Sequence, residues 1–350
     1  MCNKVFNLVK LFLYFVKEKR KNFFFCFLFF IFSLFFTKYY FLFTNEYYLP
    51  SCSEYISEYK ADKVFQKRIL TVLAAKAISV CTNLSLDHSL KVICTITCVA
   101  ILYGFNLLIQ KFVNKKIHPY WSFFVFIPIG WNYIVLNSIY HSYDLTSLAF
   151  FTWGLLLFLE KKYILFYLTF IIGCFNREST CFISIAVFSV FFKLPIKISV
   201  LNLFKFNNFI LYHLFFQFLI WISIKTYLEH LFRFNPGQFY EETLSMMNFF
   251  NDIWKGNPSW PYLNTATLLG NPRCYLTLFA GVWILIPIHW RYIPTNSKRL
   301  LWVIPPYLIV AILYANLMES RVYQEVNIIL SLVVVSGFVN RKNYIYSSSK

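Results

Sequence analysis

Residues 174–182 read CFNRESTCF, and an amide, a guanidinium and a carboxylate stand together in them: Asn176, Arg177 and Glu178. An arginine fork binds phosphate or carboxylate bidentately and stabilises charge on a leaving group, and a nearby carboxylate accepts a hydroxyl proton. Related residues recur in two other polar stretches: His141 and Asp144 in YHSYDLTS, and Glu319, Arg321 and Glu325 in LMESRVYQE. Neighbours at i and i+1 point about 100° apart on a helix, so Arg177 and Glu178 cannot serve each other well. Each needs partners from other helices.

The elements that must position these groups are apolar. Asn176–Glu178 lie between the runs Tyr163 to Phe175 and Phe182 to Phe192. Of the 350 residues 59% are hydrophobic and only 14% charged, against about a quarter charged in soluble domains. Mean hydropathy is +0.56. The expected fold is therefore all-α, a polytopic bundle of about ten spans in one transmembrane domain over 1–350. The expected spans are 22–43, 90–109, 119–138, 145–159, 163–175, 181–192, 207–224, 274–290, 300–314 and 326–339. The run from Asn22 to Phe43 exceeds a signal-peptide core and lacks a small-residue cleavage site after it, so it reads as a retained first helix.

The net charge of +18 is distributed as a membrane protein distributes it. With the N-terminus inside, 20 of 33 basic residues fall on the inner side, mostly in short loops, which is the positive-inside pattern. That distribution argues against a nucleic-acid partner. Of the 15 acidic residues, 13 fall outside, and Asp144, Glu178, Glu319 and Glu325 sit in short outer turns. The expected location is integral to a membrane, with both termini cytoplasmic.

Two outer loops elaborate the bundle, at 44–89 and 225–273. In the first, Glu54, Glu58 and Asp62 recur every four residues, which predicts one acidic helical face. Phe65, Ile69, Val72, Leu73 and Ala77 follow at helical spacing, which predicts an amphipathic helix lying in the interface. The second, with NPGQFYEE and WKGNPSWPYLN, is turn-rich and aromatic. Most of the nine cysteines lie in or beside spans as small hydrophobes. Cys52 and Cys81 share the first loop and can pair in an oxidising compartment. No CxxC motif, zinc spacing, P-loop or dinucleotide fingerprint occurs.

Thirteen residues from Tyr163 to Phe175 reach about 20 Å at 1.5 Å per residue, against a hydrocarbon core of about 30 Å. The Asn176–Glu178 turn is thus expected below the outer lipid surface, where charge and irregular backbone persist only against protein or a watery cavity. Four outer regions then converge on one polar cavity, with Asp144 close to Arg177. Two other readings stay open. The charges can be structural ion pairs of a bundle, and residues 163–192 can be one long tilted helix.

The Tyr-Asp that opens one span and the Asn-Arg-Glu that closes the next resemble a pattern in bacterial polytopic membrane proteins similar to the GT-C class of glycosyltransferases. FQKRIL resembles a first-loop element of those proteins, and ESRVYQE their late Glu-x-Arg element. Ser179 stands where threonine is usual and Lys67 where an aromatic is usual. The resemblance implies a sugar taken from a polyprenyl-phosphate donor. It implies an acidic residue of the first outer loop as base or metal ligand, here Asp62 with Glu58 as runner-up. Arg68, Arg177 and Arg321 are then the candidates for the lipid phosphate, with His141, Asp144, Asn176, Glu178 and Glu319 around it. A divalent cation is compatible with this chemistry, and nothing in the sequence requires one. Beside this enzyme reading stand a transporter or flippase of a charged or lipid-linked substrate and a non-catalytic membrane assembly subunit.

Overall fold

A computed structural model describes residues 2–44, 49–114, 116–135, 140–191, 208–236, 278–314 and 323–348, and every regular element among them is helical. Helix α1 (Cys2–Phe43) carries the first apolar run. Three pieces follow in the first outer loop: α2 (Ser53–Ser57), α3 (Lys63–Gln66) and α4 (Leu70–Thr82). Helix α5 (Leu86–Val113) starts where the Ser85 side chain accepts the His88 backbone N–H, a favourable N-cap. Helix α6 (Phe126–Gly130) lies between a tight turn at Pro119–Val125 and a wide π turn at Trp131–Val135. Then come α7 (Asp144–Leu159), α8 (Tyr163–Asn176), α9 (Phe182–Phe191) and α10 (Asn208–Leu231). The last part holds α11 (Leu285–His289), α12 (Thr295–Leu300), α13 (Ile304–Tyr314) and α14 (Gln324–Ser348).

Among the described residues, three stretches are long and apolar enough to cross a membrane: Phe23–Phe43, Leu86–Val113 and Asn208–Leu231. Helix α5 is the centre of the packing and touches α1, α4, α7 and α14. Its Ile101, Leu102, Phe105 and Leu108 are fully buried. Helices α1 and α10 keep much of their apolar surface outward, including Phe24, Phe35, Phe215 and Phe218. Helices α7 and α8, at 16 and 14 residues, rise only about 24 and 21 Å.

Several expected spans take a different form. The 119–138 stretch is not one helix, because Pro119 and Pro128 lack N–H donors and the π turn at Trp131–Val135 resets the register. The 274–290 stretch is interrupted where Phe279, Ala280 and Gly281 adopt φ of 58°, 54° and 67°. The 300–314 stretch is split among α12, a turn at Leu301–Val303 and α13. The long-helix alternative for 163–192 is excluded. Arg177 is extended at φ −163° and ψ 141°, and the Thr180 hydroxyl caps the Gly173 carbonyl at 2.8 Å.

The first outer loop is also not a single amphipathic helix. Tyr59 sits at φ 62°, and Asp62 is extended at φ −57° and ψ 144°. Tertiary contacts replace the helical ladder. The Gln66 amide accepts the Ala61 N–H at 3.1 Å and donates to the Ile56 carbonyl at 3.0 Å. Asn235 donates to the Tyr59 and Ala61 carbonyls. Below them Ile56, Ala61, Ile69, Val72, Leu228 and Phe232 form a small second core that docks the loop on α10. Leu73 and Ala77 of the expected apolar stripe face outward. Glu54 and Glu58 are exposed while Asp62 is buried, so the three do not share one face. Cys52 is buried, Cys81 is exposed, and no disulfide joins them.

Gly173 marks the tightest approach beside the α8 break. A Cβ there would lie 2.9 Å from Thr180 Cγ2 and 3.3 Å from Phe150 Cβ, and Thr180 is pinned by its hydrogen bond. Gly173→Val should lower the thermal midpoint of the detergent-solubilised protein through an overpacking cost of about 1–3 kcal/mol. An unchanged midpoint would show that the hairpin of α7 and α8 tolerates opening at this point.

Candidate functional site

Helix α8 ends at Asn176, and its polar C-terminus meets the start of α7. The Arg177 guanidinium donates to Asp144 Oδ1 at 3.0 Å, with both side chains buried. Asn176 donates to the Tyr143 carbonyl at 2.9 Å and accepts the Thr71 hydroxyl at 2.6 Å. One amide thus ties α8 to α7 and α4. Removing either member of a buried pair leaves an uncompensated charge at about 3–5 kcal/mol, so the pair fixes where α8 can stop.

Tyr143 is the hub. Its hydroxyl accepts an Arg68 N–H at 2.8 Å and lies 3.2 Å from His141 Nδ1. The Arg68 and Arg177 guanidinium groups sit 4.9 and 5.9 Å from its ring centroid. Phe65 stacks on His141 at 5.6 Å. His141 Nε2 and Ser142 Oγ are buried without a hydrogen-bond partner among the described residues. Unmet buried polar atoms are costly, and together they mark a place where a polar ligand group gains.

Glu178 points the other way. Lys67 Nζ lies 3.8 Å from Glu178 Oε1 and Arg68 Nε 3.5 Å from Glu178 Oε2. Lys67, Glu178, Trp221 and Lys225 line one small cavity, and Lys225 also sits 3.8 Å from Glu229. Among the described residues this lobe holds Lys67, Arg68 and Lys225 with Glu178 and Glu229.

Glu325, in the first turn of α14, completes the opposite lobe. It accepts hydroxyl hydrogen bonds from Ser179 and Tyr307, and from Ser147 at 3.3 Å. Gln324 is bonded by the Tyr133 hydroxyl, and Asn132 donates to Asn327 at 3.0 Å. The π turn aims Asn132 and Tyr133 at α14, and such turns recur at functional sites. Here one guanidinium, Arg177, faces Asp144 directly and Glu325 within electrostatic reach.

Asp62 opens α3, three residues before the Phe65 that stacks on His141. It is buried, and no hydrogen bond or ion pair joins its side chain to a described residue. Burial holds its carboxyl above the usual Asp range. Glu58, the runner-up, is exposed and paired with Lys60 at 2.7 Å, which holds its carboxyl below its usual value.

The structure therefore gathers Arg68, His141, Asp144, Asn176, Arg177 and Glu178 into one connected cluster; Asp62 is linked to it only along the chain, three residues before Phe65, and Glu58 lies outside it. Glu319 and Arg321 lie outside the described residues. Lys67, Tyr143, Gln324 and Tyr307 belong to the cluster and were not singled out from the sequence. The signal available for Gln324 was a polar pair at the start of a strongly apolar helix. Among the described residues, no group of three or more His, Cys, Asp or Glu side chains gathers as a metal-binding set.

Comparison with protein-family models, curated proteins and solved structures finds no match to this chain.

A double-mutant cycle tests the central pair. Asp144→Ala and Arg177→Ala should each destabilise the protein by about 3–5 kcal/mol, and the double variant should lose clearly less than the sum. The same cycle on the exposed Lys91–Asp87 pair should give about 0–1 kcal/mol. Additive losses at Asp144 and Arg177 would show that they do not interact energetically.

Proposed function

We propose that the chain is a membrane glycosyltransferase of GT-C type. It moves a sugar from a polyprenyl-phosphate-linked donor to a glycan, lipid or protein acceptor on the outer face of a bacterial inner membrane. The observation that carries the reading is the asymmetry of the buried cluster. Lys67, Arg68 and Lys225 form a cation-rich lobe around Glu178, and Asp62, a buried carboxylate five residues before Lys67 in the chain, has no ion-pair partner among the described residues.

In this reading Asp62 takes the proton of the acceptor hydroxyl, and that oxygen attacks the anomeric carbon of the donor. The bond from the anomeric carbon to the phosphate oxygen breaks, and its electron pair leaves with the polyprenyl phosphate. Arg68 and Lys67 hold the phosphate charge, for which a guanidinium fork is well shaped. His141 Nε2 and Ser142 Oγ are available for the sugar or phosphate oxygens. Arg177 acts through Asp144 and Tyr143 as a positioning residue.

The ten-span topology with both termini cytoplasmic belongs to the same reading. It rests on the charge distribution of the sequence, while the three long apolar helices and the outward apolar faces of α1 and α10 support placement in a membrane and no particular number of spans. The competing structural reading is favoured by the pairing of Arg177 with Asp144 and of Glu178 with Lys67 and Arg68, because paired buried charge also holds helices together.

Three measurements separate these readings. Asp62→Asn should abolish transfer from a labelled polyprenyl-phosphate sugar while leaving the thermal midpoint near wild type. Wild-type transfer should fall as pH drops through a midpoint above the ordinary Asp range. The sign follows from the raised Asp62 pKa: the base must be ionised, and burial favours its protonated form. Arg68→Lys keeps charge but loses the fork, and should cut turnover about 100-fold if one transition-state contact is lost. Normal turnover in Asp62→Asn removes the enzyme mechanism, and normal turnover in Arg68→Lys returns the cluster to a structural role. For topology, cysteines placed at Lys60 and Lys161 in a cysteine-free background should label from opposite faces. Labelling from one face would overturn the ten-span arrangement.

A further inference from the structure

A second feature lies away from the buried cluster, on the outer surface where α1 meets α5. A groove of about 870 Å³ runs between these helices, within the range of sites that hold small ligands. Its walls are largely apolar, from Phe30 and Leu34 of α1 and from Val92 and Ile96 of α5. Its upper rim carries Lys38, His88 and Lys91. Lys38 lies five residues before the end of α1, and Lys91 five residues after the start of α5. The Thr37–Thr95 hydrogen bond sets the register of the antiparallel pair, so Lys91 stands about 5 Å, less than one helical turn, above Lys38. Phe30 is eight residues from Lys38, about 12 Å deeper. Thr37 and Thr95, hydrogen-bonded to each other at 3.2 Å, form a polar floor below the cations.

We propose that this groove binds an anionic diacyl phospholipid, with its phosphate at Lys38 and Lys91 and an acyl chain along Phe30, Leu34, Val92 and Ile96. Charge complementarity selects this occupant. Asp87 pairs with Lys91 at 2.6 Å, whereas no carboxylate among the described residues pairs with the exposed Lys38. The rim thus keeps an unbalanced positive charge above an apolar slot. A zwitterionic lipid matches the slot but not the charge, and a soluble phosphate matches the charge but not the slot. The inference rests on the placement of α1 and α5 in a membrane and not on glycosyl transfer.

Native mass spectrometry of the full chain in detergent, with phosphatidylglycerol, phosphatidylcholine and glycerol 1-phosphate as probes, tests it. Phosphatidylglycerol should bind about tenfold more tightly than phosphatidylcholine, and glycerol 1-phosphate should not displace it. Lys38→Gln should weaken phosphatidylglycerol about fivefold, the scale of one lysine near an anionic lipid surface, and Lys38→Arg should restore it. Lys91→Gln should weaken it more, because that change also leaves Asp87 bare, and Asp87→Asn should strengthen it. Ile96→Trp should weaken both lipids by filling the slot. All these side chains are exposed or half-buried except the floor threonines, so the rim variants should keep the wild-type thermal midpoint, measured alongside. Equal binding of the two lipids, wild-type affinity in Lys38→Gln, or full displacement by glycerol 1-phosphate would each overturn the proposal. None of these outcomes depends on transfer activity, so failure here is distinguishable from failure of the enzyme reading.

Discussion

The structure depends on one constraint: the Arg177 guanidinium is taken out of water and must be paired where it sits. Asp144 meets that demand at 3.0 Å, and doing so dictates the geometry around it. The carboxylate belongs to the first residue of α7, so α8 has to end level with the beginning of α7. The two helices then run antiparallel and stay short, joined by the turn at Glu160–Lys162. Once α8 stops at Asn176, its exposed polar end needs partners, and α4 supplies Thr71 while Tyr143 supplies a carbonyl. The first outer loop is thus held to the bundle by the same turn that holds the ion pair.

How far these features were legible in the sequence follows from what each one depends on. The pairing of Arg177 with Asp144 was legible because it needs only helix rise, bilayer thickness and the cost of unpaired charge. The break at Arg177 was legible for the same reason. The breaks in the first outer loop were not. The period of Glu54, Glu58 and Asp62 is a sound helical signal, but it was overridden by Gln66 and Asn235, which bond backbone groups far away in sequence or out of helical register. Side-chain amides that substitute for a helix ladder leave no pattern in a single sequence. The Glu325 shell was hidden in another way. Tyr133, Tyr307, Ser147 and Ser179 are ordinary residues among many tyrosines and serines, and only the packing of α14 singles them out.

The charges in the buried cluster are balanced as a whole and unbalanced in their parts. Among the described residues Lys67, Arg68 and Lys225 stand with Glu178 and Glu229, while Arg177 stands with Asp144 and Glu325. A network with purely structural work gains most when each charge meets one opposite charge, since any local excess raises the desolvation cost. Separation into a positive and a negative lobe around Tyr143 goes against that expectation. It is the distribution that a bound anion on one side would complete, and it is why the cation-rich lobe, rather than Arg177 itself, is the place to seek a phosphate.

The groove on α1 and α5 shows the same physics under the opposite condition. Around Tyr143 the charges are enclosed by protein, and protein groups supply their partners. Lys38 lies on an outward face, among side chains such as Leu34, Phe35 and Leu42 that are themselves exposed. A lysine in such a place extends toward the polar boundary and keeps its ammonium hydrated. Snorkelling alone accounts for one lysine. It does not account for two cations within one helical turn of each other on neighbouring helices, beside a shared apolar slot and a polar threonine floor. That coincidence needs something spanning both helices, with charge at one end and hydrocarbon at the other. A lipid has that form, and the slot between α1 and α5 gives it a defined seat rather than a place in the general annulus.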